Sequence, residues 1–253
     1  MKPDKIDLIV ADIDGCLTQG SRTGYSLRLI EKLQMINQMS RTDSDVPPVT
    51  YCTGRPQPYV ECLIQATHGY MPALCEGGAV FYDPVQHSVR THSAFGKHEE
   101  TMLARLRETI TREMIRDHIM YEPGKVTHVT LLITPPHQTE EHLDKAREIA
   151  RRFDGEFLIE TTRICIHFLF PKLNKGAGIE WLSEHTGIAP QRMAGIGDAH
   201  PDLPFLRMMG LSCAPANAHE DLKKTCHLVS DKNDAEATMD FIDQIITMNR
   251  SSR

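Results

Sequence analysis

Short apolar runs alternate with an amphipathic segment in the first part of the chain. Residues 6–11 read IDLIVA, and residues 47–52 form a second short apolar run. Runs of this length are typical of strands that are buried on both faces of a parallel sheet. Between them, Leu29, Leu33 and Ile36 recur at the spacing of one helix face. The opening of the chain therefore predicts a strand, a helix and a second strand.

The same alternation returns near the other end of the chain. A helix is predicted over residues 176–185, and strands are predicted over residues 192–196, 210–214 and 228–229. Chains that alternate in this way favour a Rossmann-like parallel α/β sheet with helices on both faces. Polar residues that follow such strands are expected to converge, because ligands bind beyond the carboxyl ends of parallel strands.

The middle of the chain has a different pattern. Its predicted elements are helices over residues 99–119 and 140–153, and strands over residues 128–134, 156–160 and 164–170. The last two strands are joined by so few residues that they must be antiparallel. We therefore predict a small α+β cap domain over residues 83–171, inserted into an α/β core formed by residues 1–82 and 172–253.

Composition narrows the class of protein. Hydrophobic residues make up 40% and charged residues 25%, which is ordinary for a soluble globular protein. The formal net charge of -6 argues against a nucleic-acid surface, which needs clustered Lys and Arg. No apolar run approaches the ~20 residues that cross a bilayer. Seven cysteines without a Cys-x-x-Cys pair indicate reduced thiols, so a cytoplasmic location without membrane association is expected.

Two polar clusters follow the first two predicted strands. Asp12-Ile13-Asp14-Gly15 places two carboxylates in one tight loop, an arrangement that suits a nucleophile beside an acid, although such a tetrapeptide also forms plain polar turns. Thr53-Gly54 offers a hydroxyl and a glycine amide that can hold a phosphoryl oxygen, and it too is an ordinary turn sequence. Position after a buried strand favours the functional interpretation of both clusters.

Two further clusters follow the predicted insert. Lys175-Gly176 starts a helix, where the helix dipole and a lysine together favour a phosphate; a solvated surface lysine is the alternative, and Lys172 is a second candidate. Asp198 and Asp202 lie after the strand that ends at Ile196. Hard cations such as Mg²⁺ prefer carboxylate oxygens, so one of these residues is predicted to bind the ion directly and the other through water. Helix capping is the alternative role.

The four clusters, in this order and at strand ends, resemble the motifs of the haloacid dehalogenase superfamily. Only 39 positions separate Asp14 from Thr53, whereas 122 separate Thr53 from Lys175. The longer interval is similar to the subclass with a cap inserted after the second motif. Residues 76–79, EGGA, and 215–218, PANA, resemble the Cof-type, or class IIB, phosphatases, which include phosphoglycolate and sugar-phosphate phosphatases.

This resemblance implies a role for each cluster. Asp12 is the expected nucleophile and Asp14 the general acid and base, while Thr53 and Lys175 hold the phosphoryl group. Mg²⁺ is expected on Asp12, on the backbone carbonyl of Asp14 and on Asp198. The chain departs from the family at Pro201, where Asn is usual, and at Cys16, where Thr or Val is usual.

The predicted activity is magnesium-dependent hydrolysis of a small phosphomonoester through an aspartyl phosphate, with phosphoglycolate or a sugar phosphate as the substrate class. The partner is therefore a small phosphorylated metabolite, and oligomeric state is left open. Its predicted substrate-binding residues are Arg55, Asn217, Glu122 and Lys125. Two alternatives remain: a phosphomutase of the phosphomannomutase type, and a non-catalytic ligand-binding protein of the same fold.

Overall fold

The chain divides into two compact units in a computed structural model, which describes residues 5–20, 23–135, 138–162 and 164–251. The core unit comprises Met1–Arg90 and Lys175–Arg253, and the inserted unit comprises Thr91–Asn174. The first part of the core unit ends at Arg90, eight residues beyond the predicted end at residue 82, and the inserted unit ends at Asn174, three residues beyond the predicted end at residue 171. Residues 83–90, between the predicted and the observed first boundary, contain the turn after the strand Val80–Asp83 and most of the strand Ser88–Thr91, and they belong to the core unit.

The core unit contains two segments of helices and strands, one on each side of the insert. Before the insert, the elements are β1 (Leu8–Ala11), α1 (Leu27–Met39), β2 (Val49–Tyr51), α2 (Gln57–Ala66), β3 (Ala73–Cys75), β4 (Val80–Asp83) and β5 (Ser88–Thr91). Those of the inserted unit are α3 (Lys97–Glu113), β6 (Ile119–Tyr121), β7 (Val129–Ile133), α4 (Thr139–Arg151), β8 (Leu158–Thr161) and β9 (Cys165–Leu169). After the insert, the elements are α5 (Lys175–Thr186), β10 (Met193–Ile196), α6 (Leu203–Leu206), β11 (Leu211–Ala214), α7 (Glu220–Thr225), β12 (Leu228–Val229) and α8 (Asp234–Ser251).

A five-stranded parallel sheet organises the core unit, in the order β12-β11-β10-β1-β2. The four residues of β1 are fully buried, and they alternate between two hydrophobic clusters. Ile9 and Ala11 pack in a cluster that contains residues of α1, α2 and α8, whereas Leu8 and Val10 pack in one that contains residues of α5, α6 and α7. The predicted α/β class with a parallel sheet is confirmed.

The strand order explains why distant polar segments share one edge of the sheet. β1 lies between β10 and β2, so the loops that follow these three parallel strands leave from the same edge. The order of strands along the chain reverses beside β1, and such a reversal opens a crevice where α/β proteins bind ligands. Asp12, Thr53 and Asp198 each come one or two residues after the last residue of their strand.

The inserted unit contains an antiparallel sheet in the order β6-β7-β9-β8. The antiparallel pairing predicted for the last two strands is confirmed. The first predicted helix is wrong at its end, because α3 stops at Glu113 and Ile119 starts β6. Ile115 and Ile119 are four positions apart, which continues the helical spacing past Glu113, but strand pairing of β6 with β7 overrides that local pattern.

All seven cysteines are free thiols, as the absence of paired motifs predicted. Among the helices in the described part of the chain, none is long and apolar enough to cross a membrane.

Candidate active site

A buried lysine joins two carboxylates at the carboxyl edge of the parallel sheet. The Nζ atom of Lys175 lies 2.8 Å from Oδ1 of Asp12 and 2.5 Å from Oδ1 of Asp202. All three side chains are at least nine-tenths buried. Lys175 is the first residue of α5, whose start is set close to the turn at residues 76–78. A Cβ atom on Gly178 would lie 2.7 Å from the Cα atom of Gly78, so only a glycine permits this approach.

Asp202 uses both of its carboxylate oxygens inside the protein. Oδ1 accepts a hydrogen bond from Lys175, and Oδ2 accepts hydrogen bonds from the backbone N–H groups of Asp198 and Ala199, each at 3.0 Å. Asp202 therefore fixes the position of the lysine and the shape of the loop after β10 at the same time. The capping role that the sequence left open is present here, and the water-mediated metal contact of Asp202 stays a prediction.

Burial and charge shift the pKa values of these groups. Burial, followed by the charge of Asp202, raises the pKa of Asp12 from 3.8 to about 7, although Lys175 opposes the shift. Burial also raises the pKa of Asp198 to about 8, with further contributions from Asp12 and Asp202. Burial alone would lower the pKa of Lys175, but the neighbouring carboxylates outweigh it and hold that pKa well above its ordinary value. The lysine is therefore a permanent cation among excess negative charge.

The residues around Asp198 fit a divalent cation. Carboxylate oxygens of Asp12, Asp198 and Asp202 lie within 4.8 Å of one another. Oδ1 of Asp198 is buried and has no hydrogen-bond partner among the described residues, which is costly for a carboxylate unless a cation contacts it. A Cβ atom on Gly15 would lie 2.1 Å from Oδ2 of Asp198, and the φ angle of Gly15 is +86°. A glycine is thus required for the loop after β1 to approach this carboxylate.

Asp14 faces a guanidinium group. Nε of Arg55 donates to Oδ2 of Asp14 and Nη2 donates to Oδ1, both at 2.7 Å. This is the two-point geometry that arginine forms with a planar carboxylate. The predicted acid and the predicted substrate-binding arginine are therefore brought together.

Thr53 and Gly54 lie in the loop after β2. Thr53 is fully buried, and its Oγ1 atom accepts a hydrogen bond from the backbone N–H of Arg55 at 3.2 Å. Its backbone is fixed by a hydrogen bond from its N–H group to the carbonyl of Leu74. Gly54 is exposed, and no atom lies within 4 Å of the position that a Cβ atom would take. Phosphate binding by these two residues stays a prediction.

Asn217 supports the loop that carries Asp12. Its Nδ2 atom donates to the carbonyl of Gly15 at 2.9 Å, and its Oδ1 atom accepts from the N–H of Asp234 at 2.9 Å. Thr238 on α8 adds a second support, since its hydroxyl donates to the carbonyl of Cys16 at 2.6 Å. Sequence reasoning did not find Thr238, because no local signal connects a threonine inside a helix with a loop more than 200 positions earlier. The predicted substrate contact of Asn217 stays a prediction.

Glu122 and Lys125 lie in the inserted unit, between β6 and β7. Their side chains form an ion pair of 3.2 Å and are largely buried, and the Lys125 carbonyl accepts a hydrogen bond from Arg107. Two histidines in the same unit are also buried. Burial, helped by the charge of Lys125, lowers the pKa of His167 to about 3 and that of His128 well below its ordinary value. These histidines are therefore neutral at physiological pH.

Comparisons with known proteins show the family to which the chain belongs. Residues 93–242, more than half of the chain, match the model of the haloacid dehalogenase-like hydrolase family. A phosphoglycolate phosphatase from Methanopyrus kandleri is 26% identical over 243 residues, covering 94% of this chain and 97% of that protein.

Two solved structures share the fold over nearly their whole length. A crystal structure from Thermoplasma acidophilum has a TM-score of 0.77 at 20% identity and covers 96% of this chain and 99% of that one. The sucrose-phosphatase from Synechocystis, solved with sucrose and phosphate, has a TM-score of 0.64 at 16% identity, with coverages of 96% and 98%. The family predicted from the four clusters is confirmed: the chain belongs to the haloacid dehalogenase-like hydrolases.

Proposed function

We propose that this chain is a magnesium-dependent phosphatase that hydrolyses a small phosphomonoester through a phosphorylated Asp12. One observation carries the proposal: a buried, permanently charged Lys175 contacts the Asp12 carboxylate at 2.8 Å, beside the unpartnered oxygen of Asp198. A phosphomonoester carries about two negative charges at neutral pH, so a carboxylate can attack it only where cations offset the repulsion. Membership of a hydrolase family supports an enzymatic role for this cluster.

In the proposed reaction, a carboxylate oxygen of Asp12 forms a bond to phosphorus while the bond from phosphorus to the substrate oxygen breaks. Asp14 gives a proton to the departing oxygen, which leaves as an alcohol. A water molecule then attacks the phosphorus atom of the aspartyl phosphate, and Asp14 takes a proton from that water. Inorganic phosphate leaves, and the Asp12 carboxylate is restored.

Other residues hold the reacting groups. Lys175, Thr53 and the Gly54 amide are assigned to the phosphoryl oxygens, and Asp202 keeps the lysine in place. Asp12, the carbonyl of Asp14 and Asp198 are the residues assigned to Mg²⁺. When bound there, the ion supplies positive charge for the phosphoryl oxygens and for Asp12.

Small phosphorylated metabolites are the proposed substrates, with phosphoglycolate or a sugar phosphate as the class. This rests on full-length similarity to a protein named phosphoglycolate phosphatase and on the shared fold of a sucrose-phosphatase. Contacts from Glu122 and Lys125 to the alcohol portion of the substrate stay predictions, as does a cytoplasmic location.

The test is phosphate release from a panel of phosphomonoesters, with Mg²⁺ or with a chelator. Asp12→Asn should lower kcat by at least about a thousandfold, a loss of roughly 4 kcal/mol of transition-state stabilisation. Asp221→Asn, on the exposed face of α7, is the control and should keep wild-type activity. Mass spectrometry of acid-quenched wild-type enzyme should find the phosphoryl group on the peptide that contains Asp12. Wild-type turnover by Asp12→Asn, or phosphate on another residue, would refute the proposed nucleophile.

A further inference from the structure

The carboxylate of Asp14 has both of its oxygens engaged by one side chain. Arg55 donates hydrogen bonds of 2.7 Å to both Oδ1 and Oδ2 of Asp14. The side chain of Arg55 is 16% exposed and that of Asp14 is 30% exposed. A pair so shielded from water, with parallel N–H donors, is among the stronger kinds of ion pair. Under the proposed function, however, Asp14 must present an oxygen to the leaving group of the substrate. In this structure, however, each oxygen of Asp14 accepts a hydrogen bond from Arg55.

The guanidinium group has a second support that does not depend on Asp14. Its central carbon lies 4.7 Å from the centroid of the Tyr59 ring, within the range of a cation–π contact. The hydroxyl of Tyr59 is 3.0 Å from the hydroxyl of Tyr25, which is half-buried. Tyr25 and Tyr59 together form a platform that can retain the guanidinium when its carboxylate partner changes.

The charge around the reaction centre indicates which partner can replace Asp14. Of the residues that the structure describes, four carboxylates and two cations meet there: Asp12, Asp14, Asp198 and Asp202 with Lys175 and Arg55. Lys175 contacts two of these carboxylates, Asp12 and Asp202. The cation that contacts Asp14 is Arg55. A neutral alcohol offers nothing that competes with a carboxylate for a guanidinium, whereas a substrate carboxylate offers the same two oxygens.

We propose that Arg55 determines specificity by exchange: its guanidinium passes from Asp14 to a carboxylate on the alcohol portion of the substrate, which releases an oxygen of Asp14 for the leaving group. The preferred substrates are then phosphate esters of hydroxycarboxylic acids. This inference rests on the proposed function and adds a substrate class and a specificity residue to it. No covalent step is added, since the exchange moves only hydrogen bonds.

The first test compares two esters that differ in one group, 2-phosphoglycolate and 2-hydroxyethyl phosphate, in the presence of Mg²⁺. The wild-type enzyme should prefer the carboxylate ester in kcat/KM. Arg55→Gln should lower kcat/KM for 2-phosphoglycolate about ten- to a hundredfold more than for 2-hydroxyethyl phosphate, the range expected for a lost charged hydrogen-bond pair. Arg55→Lys should restore part of the preference, because it restores the charge without the two-point geometry.

A matched control is available on the same unit. The Arg41 guanidinium lies over the Tyr70 ring at 4.1 Å, so Arg41→Gln removes a similar stacked arginine away from the reaction centre. This variant should keep the wild-type kcat/KM for both esters. Tyr59→Leu removes the platform and should narrow the preference for the carboxylate ester while Asp14 stays in place.

A binding measurement tests the exchange without turnover. If Asp14 and the substrate compete for Arg55, Asp14→Asn should bind 2-phosphoglycolate more tightly than the wild type does. The gain in affinity should be larger for 2-phosphoglycolate than for 2-hydroxyethyl phosphate. Calorimetry in a short titration at low temperature measures both affinities. Adding Arg55→Gln to Asp14→Asn should abolish that gain.

The outcomes separate this inference from the function beneath it. Equal losses on the two esters in Arg55→Gln would mean that Arg55 only positions Asp14, and the exchange would be refuted. The exchange would also be refuted if the wild-type enzyme hydrolyses phosphomonoesters but prefers 2-hydroxyethyl phosphate to 2-phosphoglycolate. The phosphatase proposal would then still stand. Absence of phosphate release from every ester of the panel would refute the phosphatase proposal itself.

Discussion

At the scale of single residues, most carboxylate oxygens of the candidate site accept hydrogen bonds from other groups of the protein. Asp202 accepts from a lysine and from two backbone amides, and Asp14 accepts twice from Arg55. Oδ1 of Asp198 differs from these, being buried without a partner in the described ranges. Buried carboxylates are stable only when paired or bound to a cation, so this oxygen is the strongest single indication of where an ion binds.

Gly15→Ala tests that indication. The new Cβ atom would lie 2.1 Å from Oδ2 of Asp198, far inside van der Waals contact, so the carboxylate or the loop after β1 must move. We expect Mg²⁺ affinity, measured by calorimetry, to fall at least tenfold.

Gly20→Ala is the matched control for this variant. Gly20 also has a positive φ angle, +127°, but no atom lies within 4 Å of the position of its missing Cβ. It therefore carries the backbone penalty of an alanine there, about 1–2 kcal/mol, without the clash. Unchanged Mg²⁺ affinity in Gly15→Ala, or equal losses in both variants, would contradict the assignment of Asp198 to the ion.

At the scale of elements, ends of helices and strands position the site. The first residue of α5 supplies Lys175, and the loops after β1, β2 and β10 supply the residues opposite it. The loop after β1 is tied from behind through Asn217 and Thr238, so β11 and α8 belong to the scaffold of the nucleophile. In the inserted unit, α3 starts with a hydrogen bond of 2.8 Å from the Gly96 amide to Glu99.

Glu99 should make the stability of α3 depend on pH. Its side chain accepts from Lys172 at 2.5 Å, and this bond, with the Gly96 amide, lowers the pKa of Glu99 from 4.5 to about 2. A lowered carboxyl pKa contributes stability that is present above pH 4.5 and is lost as the pH falls toward 2. Glu99→Gln should therefore cost about 1 kcal/mol of unfolding free energy at pH 7, and less at pH 3.

Urea unfolding at the two pH values measures this difference. Glu108→Gln is the matched control, because Glu108 is exposed on the same helix. A cost for Glu99→Gln that is the same at both pH values would show that the ionised form of Glu99 contributes nothing to the stability of α3.

At the scale of the whole molecule, carboxyl groups from distant parts of the chain meet where the parallel sheet ends. The chain carries a formal net charge of -6, and burial raises the pKa of Asp12 to about 7 and that of Asp198 to about 8. A carboxyl group whose pKa is raised by folding binds protons more tightly in the folded state. Its contribution to stability therefore falls as the pH rises from the ordinary value of 3.8 toward 8. A bound cation would reverse that loss.

Cation binding should consequently release protons and should stabilise the protein more at pH 8 than at pH 6. Mg²⁺ at about a hundred times its Kd should add roughly 2.7 kcal/mol to the unfolding free energy, seen as a rise in Tm. Calorimetry in two buffers with different ionisation enthalpies measures the released protons. Asp198→Asn should lose both the Tm rise and the proton release, and a Tm rise that does not depend on pH would contradict the competition between protons and the cation.

Much of the fold followed from the sequence alone. Leu8–Ala11 is apolar at every position, which favours burial on both faces, and this property is local. The parallel sheet and the antiparallel pair of β8 and β9 were predicted on such local grounds and are confirmed. The family was predicted from the resemblance of four polar clusters, in their order and spacing, and it is also confirmed. The end of α3 was wrong because pairing between β6 and β7 is a tertiary interaction that overrides helical spacing.

Tertiary structure alone decided which polar groups meet. The sequence indicated that Asp14 and Arg55 both lie at strand ends, but nothing local states that the arginine takes both oxygens of that aspartate. Likewise, the contact of Thr238 with Cys16 joins residues more than 200 positions apart. The apolar pattern of a segment, which predicts its burial, is a property of that segment alone. A hydrogen bond between two loops depends on where the packing of the intervening helices and strands places both loops.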